Sequence, residues 1–178
     1  MQGYKPIDSP LQGNSSKEYA TLVEVVDATV YRQLVDFLMH LVNTRPNICY
    51  AVKNLSQLMV KPTKLFWKEG RHVLRYLRGT SKYGLWYRQT DEVNFHGFTD
   101  VDWAGSPIER KSTSGGIFSI RSTTVSWYSR KKISVALSST EAEYMAASQA
   151  ACEAIWMRKI LVGLFGSHLD PTVIHCDN

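Results

Sequence analysis

The spacing of apolar residues changes once along this chain, near Tyr83, and that change restricts the folds available to it. Before Tyr83, apolar residues recur every three or four positions, which is the period of amphipathic helices. After it they alternate with polar residues, as in β-strands. The chain has 178 residues, a length compatible with two small domains. The sequence therefore predicts a helical region at 1–90 and a mixed α/β region at 91–178.

The first region is predicted to contain consecutive helices. Their expected spans are 30–42, 47–60 and 63–79, with Gly79 as the cap that ends the third helix. Short connections between such helices are typical of a small bundle. Residues 1–28 mix Pro, Gly, Ser and Asn without a clear period, so we expect a poorly ordered, extended lead-in.

The second region is predicted to be a run of strands followed by one long helix and a last strand. The expected strands span 84–87, 95–103, 116–120, 124–129 and 172–176. Ser138 with Glu141 three residues later forms a capping box, which opens a helix that ends near Gly163. The last strand is expected to run parallel to the first, because a helix separates it from the others. The fold class is α/β, or α+β overall, with a mixed sheet.

Charge is divided unevenly between the two regions. Residues 1–90 hold 13 Lys/Arg against 6 Asp/Glu, whereas residues 91–178 hold 8 against 10. In the third helix, cations follow at steps of three and four and share one helix face: Lys64, Lys68, Arg71, Arg75 and Arg78. This face predicts a nucleic-acid contact surface, although a solvated helix face has the same pattern.

Acidic residues in the second region are candidates for a catalytic site. Asp100 and Asp102 share one face of a predicted strand, which also fits an ordinary strand end leading into a turn. Glu141 is explained by the capping box. Glu143 heads a stripe of small residues that would pack closely on a sheet: Ala147, Ala150, Ala151 and Ala154. Asp177 follows the last predicted strand.

Carboxylates from a first strand, the next helix and a parallel return strand can converge at one edge of a sheet. The expected site is therefore Asp100, Glu143 and Asp177, and its oxygen ligands suit Mg²⁺ or Mn²⁺. His175 is expected to be a strand side chain and not a ligand. The chain has three cysteines, widely separated and without metal-binding spacing, so neither a disulfide framework nor a zinc site is indicated.

Several ordered stretches carry a close resemblance to a known family: YRQLV at 31–35, LVNTRP at 41–46, VLRYLRGT at 73–80, TDVDWAG at 99–105, KSTSG at 111–115, ALSSTEAEY at 136–144 and IHCDN at 174–178. In order and spacing they resemble the end of the reverse transcriptase region and the ribonuclease H domain of copia-type LTR retrotransposon polyproteins. The resemblance covers nearly the whole chain.

The resemblance implies a thumb-like or connection-like helical segment at 1–90 and a C-terminally truncated ribonuclease H-like domain at 91–178. It places the catalytic, metal-binding acids on Asp100, Glu143 and Asp177, and leaves Asp102 as a peripheral candidate. The implied chemistry is hydrolysis of the RNA strand of an RNA–DNA hybrid with two Mg²⁺ ions. The implied partners are the hybrid or another nucleic acid.

Two departures from the family pattern limit the expected activity. The fourth metal-binding acid would lie beyond Asn178, and the polymerase Tyr-x-Asp-Asp motif would lie upstream of Met1. We therefore expect weak or no cleavage, and an upstream polymerase sequence as a candidate partner. A non-catalytic nucleic-acid-binding remnant and an inert relic are the alternatives. No stretch approaches the roughly 20 apolar residues of a membrane span, so we expect a soluble protein that is not secreted. The resemblance implies an intracellular location, in a cytoplasmic particle or the nucleus.

Overall fold

A computed structural model of the chain describes residues 5–11, 25–88, 94–103, 110–166 and 170–176. Its elements are helices and one mixed sheet, in agreement with the predicted α/β class. The chain divides into two compact units, Met1–Gly84 and Leu85–Asn178. The boundary thus falls a few residues before the position near 90 that the sequence indicated.

The described part of the first unit contains α1 (Ala28–Val42), a 3-10 turn (Pro46–Ile48), α2 (Cys49–Ser56) and α3 (Lys64–Gly79). These confirm the predicted helices, but α2 is shorter than expected because the 3-10 turn takes its start. Gly79 is the last helical residue and Thr80 the cap. The core is made by large side chains from all three helices and the turn: Tyr31, Val35, Leu38, Ile48, Leu55, Phe66 and Val73.

The expectation of poor order is wrong for residues 5–11, which lie along α3. Arg75 Nε donates to the carbonyl oxygen of Lys5 over 2.9 Å. Ile7 and Leu11 pack against the core of the helices. These apolar contacts fix the segment in place, which its Pro and Ser content did not suggest.

The described part of the second unit contains β1 (Phe95–Asp102), β2 (Thr113–Ile120), β3 (Thr123–Lys131), α4 (Ser139–Phe165) and β4 (Val173–Cys176). The strand order is β3-β2-β1-β4. The pairs β1–β2 and β2–β3 are antiparallel and β1–β4 is parallel, as predicted.

The strand predicted at 84–87 is wrong, because the described residues there form no strand. The adjacent residues Trp86 and Tyr87 are both exposed, so the apolar run at 84–87 does not mark the buried face of a strand. Side chains link these residues to β3: Thr123 Oγ1 donates to the carbonyl oxygen of Trp86 over 3.0 Å, and the Tyr87 hydroxyl donates to the carbonyl oxygen of Thr124 over 3.4 Å.

Helix α4 covers one face of the sheet with a line of small and apolar residues: Ala142, Ala146, Ala150, Ala154, Met157 and Leu161. Two large rings, Phe118 and Tyr128, lie under this helix. Glycines on neighbouring strands leave room for the rings, since a Cβ on Gly97 would lie 2.5 Å from the Phe118 ring. No described helix combines the length and apolar character that crossing a membrane requires.

Candidate functional site

Asp100 lies near the C-terminal end of β1 and is exposed. Its neighbour Thr99 is buried and donates from Oγ1 to the carbonyl oxygen of Gly115 over 2.9 Å. Because side chains alternate along a strand, Asp100 belongs to the opposite face from Thr99. The Asp100 carboxylate accepts a hydrogen bond from the Val101 amide over 2.6 Å. Asp102, the last residue of β1, is also exposed.

The start of α4 confirms the predicted capping box, with one change of partner. Ser138 Oγ accepts from the Glu141 amide over 3.1 Å, and the Glu141 carboxylate accepts from the amide of Leu137 over 2.6 Å. In an ordinary capping box that second donor is the N-cap amide, here that of Ser138. The carboxylate of Glu141 therefore stabilises the start of the helix. Glu143 remains the candidate metal-binding acid of α4.

Glu143 is half-buried beside the line of α4 that contacts the sheet. The predicted stripe is correct for Ala150 and Ala154, which are buried, whereas Ala147 and Ala151 are only half-buried. The buried line begins at Ala142, one residue before Glu143. Glu143 thus lies on the flank of the packed face, where a carboxylate keeps access to solvent.

Lys132 fixes the first half of α4 against the end of β3. Its Nζ donates to the carbonyl oxygen of Met145 over 3.1 Å and to Gln149 Oε1 over 2.7 Å. Burial lowers the pKa of Lys132, and the charge of Arg130 lowers it further. Lys132 was not predicted from the sequence, because one lysine of a Lys-Lys pair at the end of a strand carries no distinguishing signal.

The sheet register shows which end of the sheet this contact occupies. Lys131 pairs with Thr113, and Thr113 pairs with Asp102 at the C-terminal end of β1. The first half of α4 therefore lies at the same end of the sheet as Asp100, but α4 packs on the face that carries Phe95 and Thr99, opposite the face of Asp100. Glu143 belongs to that half of the helix, two residues before Met145.

Asp177 lies outside the described residues. Strand β4 pairs with β1 in parallel, and its last residue, Cys176, pairs with Thr99. Among the described residues, no group of three His, Cys, Asp or Glu side chains could hold a metal ion. Convergence of Asp100, Glu143 and Asp177 on a common cation therefore stays a prediction.

His175 stacks on Phe98, with ring centroids 4.8 Å apart and an angle of 20° between the rings. The two residues are partners in the parallel register. His175 therefore serves as a strand side chain on the face that carries Asp100, which agrees with the expectation from sequence.

The basic residues of α3 form one face of that helix, as their spacing predicted. Lys64, Lys68 and Arg78 are exposed, and Arg71 and Arg75 are half-buried. The opposite face of α3 carries the buried residues, among them Phe66 and Val73. We name these five cations the α3 basic face.

The second unit is thus a mixed sheet covered by one helix, with Asp100 and Glu143 at one end, and the first unit carries the α3 basic face. Sequence comparison relates the chain to retroelement polyproteins. The chain is 36% identical over 98% of its length to the retrovirus-related Pol polyprotein from transposon RE2 of Arabidopsis thaliana. It is 38% identical over 100% of its length to that from transposon TNT 1-94 of Nicotiana tabacum. Over nearly its whole length the chain is therefore homologous to a short segment of copia-type retrotransposon Pol polyproteins.

The chain spans 12% and 14% of the lengths of these two polyproteins. A shorter relative, secreted RxLR effector protein 161 of Plasmopara viticola, is 44% identical over 71% of the chain and 90% of its own length. No family model matches the chain, and no solved structure matches it.

Proposed function

We propose that the second unit is a ribonuclease H-like unit that acts on the RNA strand of RNA–DNA hybrids. One observation carries this proposal: Asp100 and Glu143 lie at the same end of the sheet, where β4 leads in sequence directly into Asp177. Similarity to retrotransposon Pol polyproteins supports a retroelement origin of the chain.

The donor set fits a hard divalent cation, because carboxylate oxygens are the ligands that Mg²⁺ and Mn²⁺ prefer. We propose that Asp100, Glu143 and Asp177 hold the ion. Asp100 is exposed and Glu143 half-buried, so both are reachable from solvent. When bound, such ions lower the pKa of a bound water and stabilise the leaving oxygen in phosphodiester hydrolysis.

Manganese binding tests the metal site directly. We expect the 178-residue chain to bind Mn²⁺, as followed by electron paramagnetic resonance, and Asp100→Asn to weaken binding at least about tenfold. Asp102→Asn is the matched control, since it removes a neighbouring exposed charge outside the proposed ligand set. Equal Mn²⁺ binding by the wild type and Asp100→Asn would remove Asp100 from the site.

Cleavage of a labelled RNA–DNA hybrid tests the activity itself. We expect weak or undetectable cleavage by these 178 residues, because the resemblance implies a fourth acid that they do not include. Two-metal hydrolysis requires both ions at a fixed separation, and small errors of geometry cost about a hundredfold in rate. Robust cleavage that Asp100→Asn abolishes would show instead that three acids suffice.

A non-catalytic nucleic-acid-binding role is the second candidate, and the exposure of Lys64, Lys68 and Arg78 favours it. Phosphate contacts release counterions, so binding through the α3 basic face should weaken steeply with salt. We expect Lys64→Gln with Lys68→Gln to lower hybrid affinity and to reduce the salt slope by about one per lost contact. Arg88→Gln with Lys159→Gln removes two exposed cations elsewhere and should change neither.

The α3 basic face and the three acids favour an RNA–DNA hybrid or another nucleic acid as the partner. The resemblance to Pol polyproteins suggests upstream polymerase sequence of the same kind of polyprotein as a second partner. We place the protein inside the cell, in a cytoplasmic particle or the nucleus, where such hybrids would be met.

A further inference from the structure

The segment at residues 5–11 is held along α3 by polar and apolar contacts. Arg75 Nε donates to the Lys5 carbonyl over 2.9 Å, and His72 Nε2 lies 2.9 Å from the Ser9 carbonyl oxygen. The segment approaches α3 so closely at Gly79 that a Cβ there would lie 2.9 Å from Pro6 Cβ. The segment is therefore part of the surface of the first unit.

This arrangement places an additional cation beside the α3 basic face. Lys5 is exposed, and its backbone is bonded to Arg75 although 70 residues separate the two in sequence. Arg78 lies one helical turn beyond Arg75. The same segment carries one exposed acid, Asp8, so two opposite charges sit three residues apart on it.

We propose that Lys5 belongs to the phosphate-binding surface, so that a nucleic-acid backbone passes over residues 5–11 as well as over α3. The inference rests on nucleic-acid binding by the α3 basic face. A duplex carries one negative charge per roughly 1.7 Å of its axis, so a cation beside Arg75 meets the same backbone. The flexible lysine stem allows its ammonium group to follow that backbone. Asp8 weakens binding by repulsion.

Two substitutions of opposite sign test the path of the backbone. Fluorescence anisotropy with a labelled RNA–DNA hybrid is measured over a range of salt for the full 178-residue chain. Lys5→Gln should weaken binding severalfold and reduce the salt slope by about one. Asp8→Asn should tighten binding. Lys159→Gln, an exposed lysine of α4, is the matched control and should leave affinity and slope unchanged.

A variant that displaces the segment at residues 5–11 tests its position on α3 without changing any charge. The new methyl group of Gly79→Ala would push residues 5–11 away from α3, because it would meet Pro6. In that background Lys5→Gln should have no further effect, which is the non-additivity expected of coupled sites.

The outcome that overturns the inference is distinct from failure of the proposed binding. If Lys5→Gln keeps wild-type affinity and slope while Lys64→Gln with Lys68→Gln weakens binding, the backbone does not cross the segment and α3 binding stands. If the lysine pair also has no effect, the α3 basic face does not bind the hybrid, and both ideas fail.

Discussion

The two units build their interiors from different materials. In the first unit large side chains such as Tyr31, Leu38 and Ile48 meet one another. In the second, large rings meet residues that have little or no side chain, since Phe118 faces Gly97 and lies under the alanines of α4. The first interior is therefore filled mainly by large side chains that contact one another, and the second by large rings that pack against glycine and alanine.

The two units also differ in the kind of polar side chain that they bury. Among the described residues, the buried charged side chains, Arg45 and Glu69, both belong to the first unit. The buried polar residues of the second unit carry hydroxyl groups, as in Ser112 and Ser114. A hydroxyl needs one or two partners, whereas a guanidinium has five donors to satisfy. Loss of a single polar partner should consequently cost the first unit more.

The largest expected effect follows from Arg45, which joins the 3-10 turn to the end of α3. Its Nη1 donates to the Thr80 carbonyl over 3.1 Å and its Nη2 to Thr80 Oγ1 over 2.6 Å. We expect Arg45→Ala to lower the free energy of unfolding of the first unit by about 3 kcal/mol, since charged hydrogen bonds and buried packing are lost together. Urea denaturation followed by circular dichroism measures the loss.

Arg88→Ala is the control for this prediction, because Arg88 is exposed and its loss should cost less than about 0.5 kcal/mol. A cost of less than about 1 kcal/mol for Arg45→Ala would contradict the role of buried charge in the first unit and remove that part of the contrast.

Two adjacent glycines of β2 test whether the second unit depends on the room that glycine leaves for a ring. A Cβ on Gly116 would lie 2.4 Å from the Tyr128 ring, whereas one on Gly115 would meet nothing within 4 Å. We expect Gly116→Ala to destabilise the second unit by about 2 kcal/mol through overpacking. Gly115→Ala should be close to neutral. Thermal unfolding of both variants measures the difference, and equal melting temperatures would show that the ring moves aside at little cost.

Sequence reasoning succeeded where one period dominated a long segment. The apolar spacing of α3 and the capping box at Ser138 both act locally, so they are visible without tertiary information. The prediction of a strand at 84–87 is wrong, because Trp86 and Tyr87 are both exposed and no sheet face is buried there. The spacing of apolar residues alone cannot distinguish a buried strand from an exposed apolar run.

The candidate sites show the same limit. The basic face of α3 follows from steps of three and four, and its exposure agrees with that spacing. The placement of Lys5 beside Arg75 joins residues 70 positions apart, and no periodicity reports such a contact. Lys132 was missed for the same reason, because its partners Met145 and Gln149 lie on another element.

The smallest expected effect concerns His72, whose ring contacts the segment at residues 5–11. Burial lowers the pKa of His72 below 6.5, the nearby charge of Arg75 lowers it further, and the hydrogen bond to Ser9 opposes the shift. Below about pH 6.5 the unfolded chain therefore binds a proton more readily than the folded protein. The stability that His72 contributes is present above that pH and is lost as pH falls through the folded pKa. Unfolding free energies measured between pH 8 and pH 5 should decline less for His72→Gln than for wild type, and parallel pH profiles would contradict the prediction.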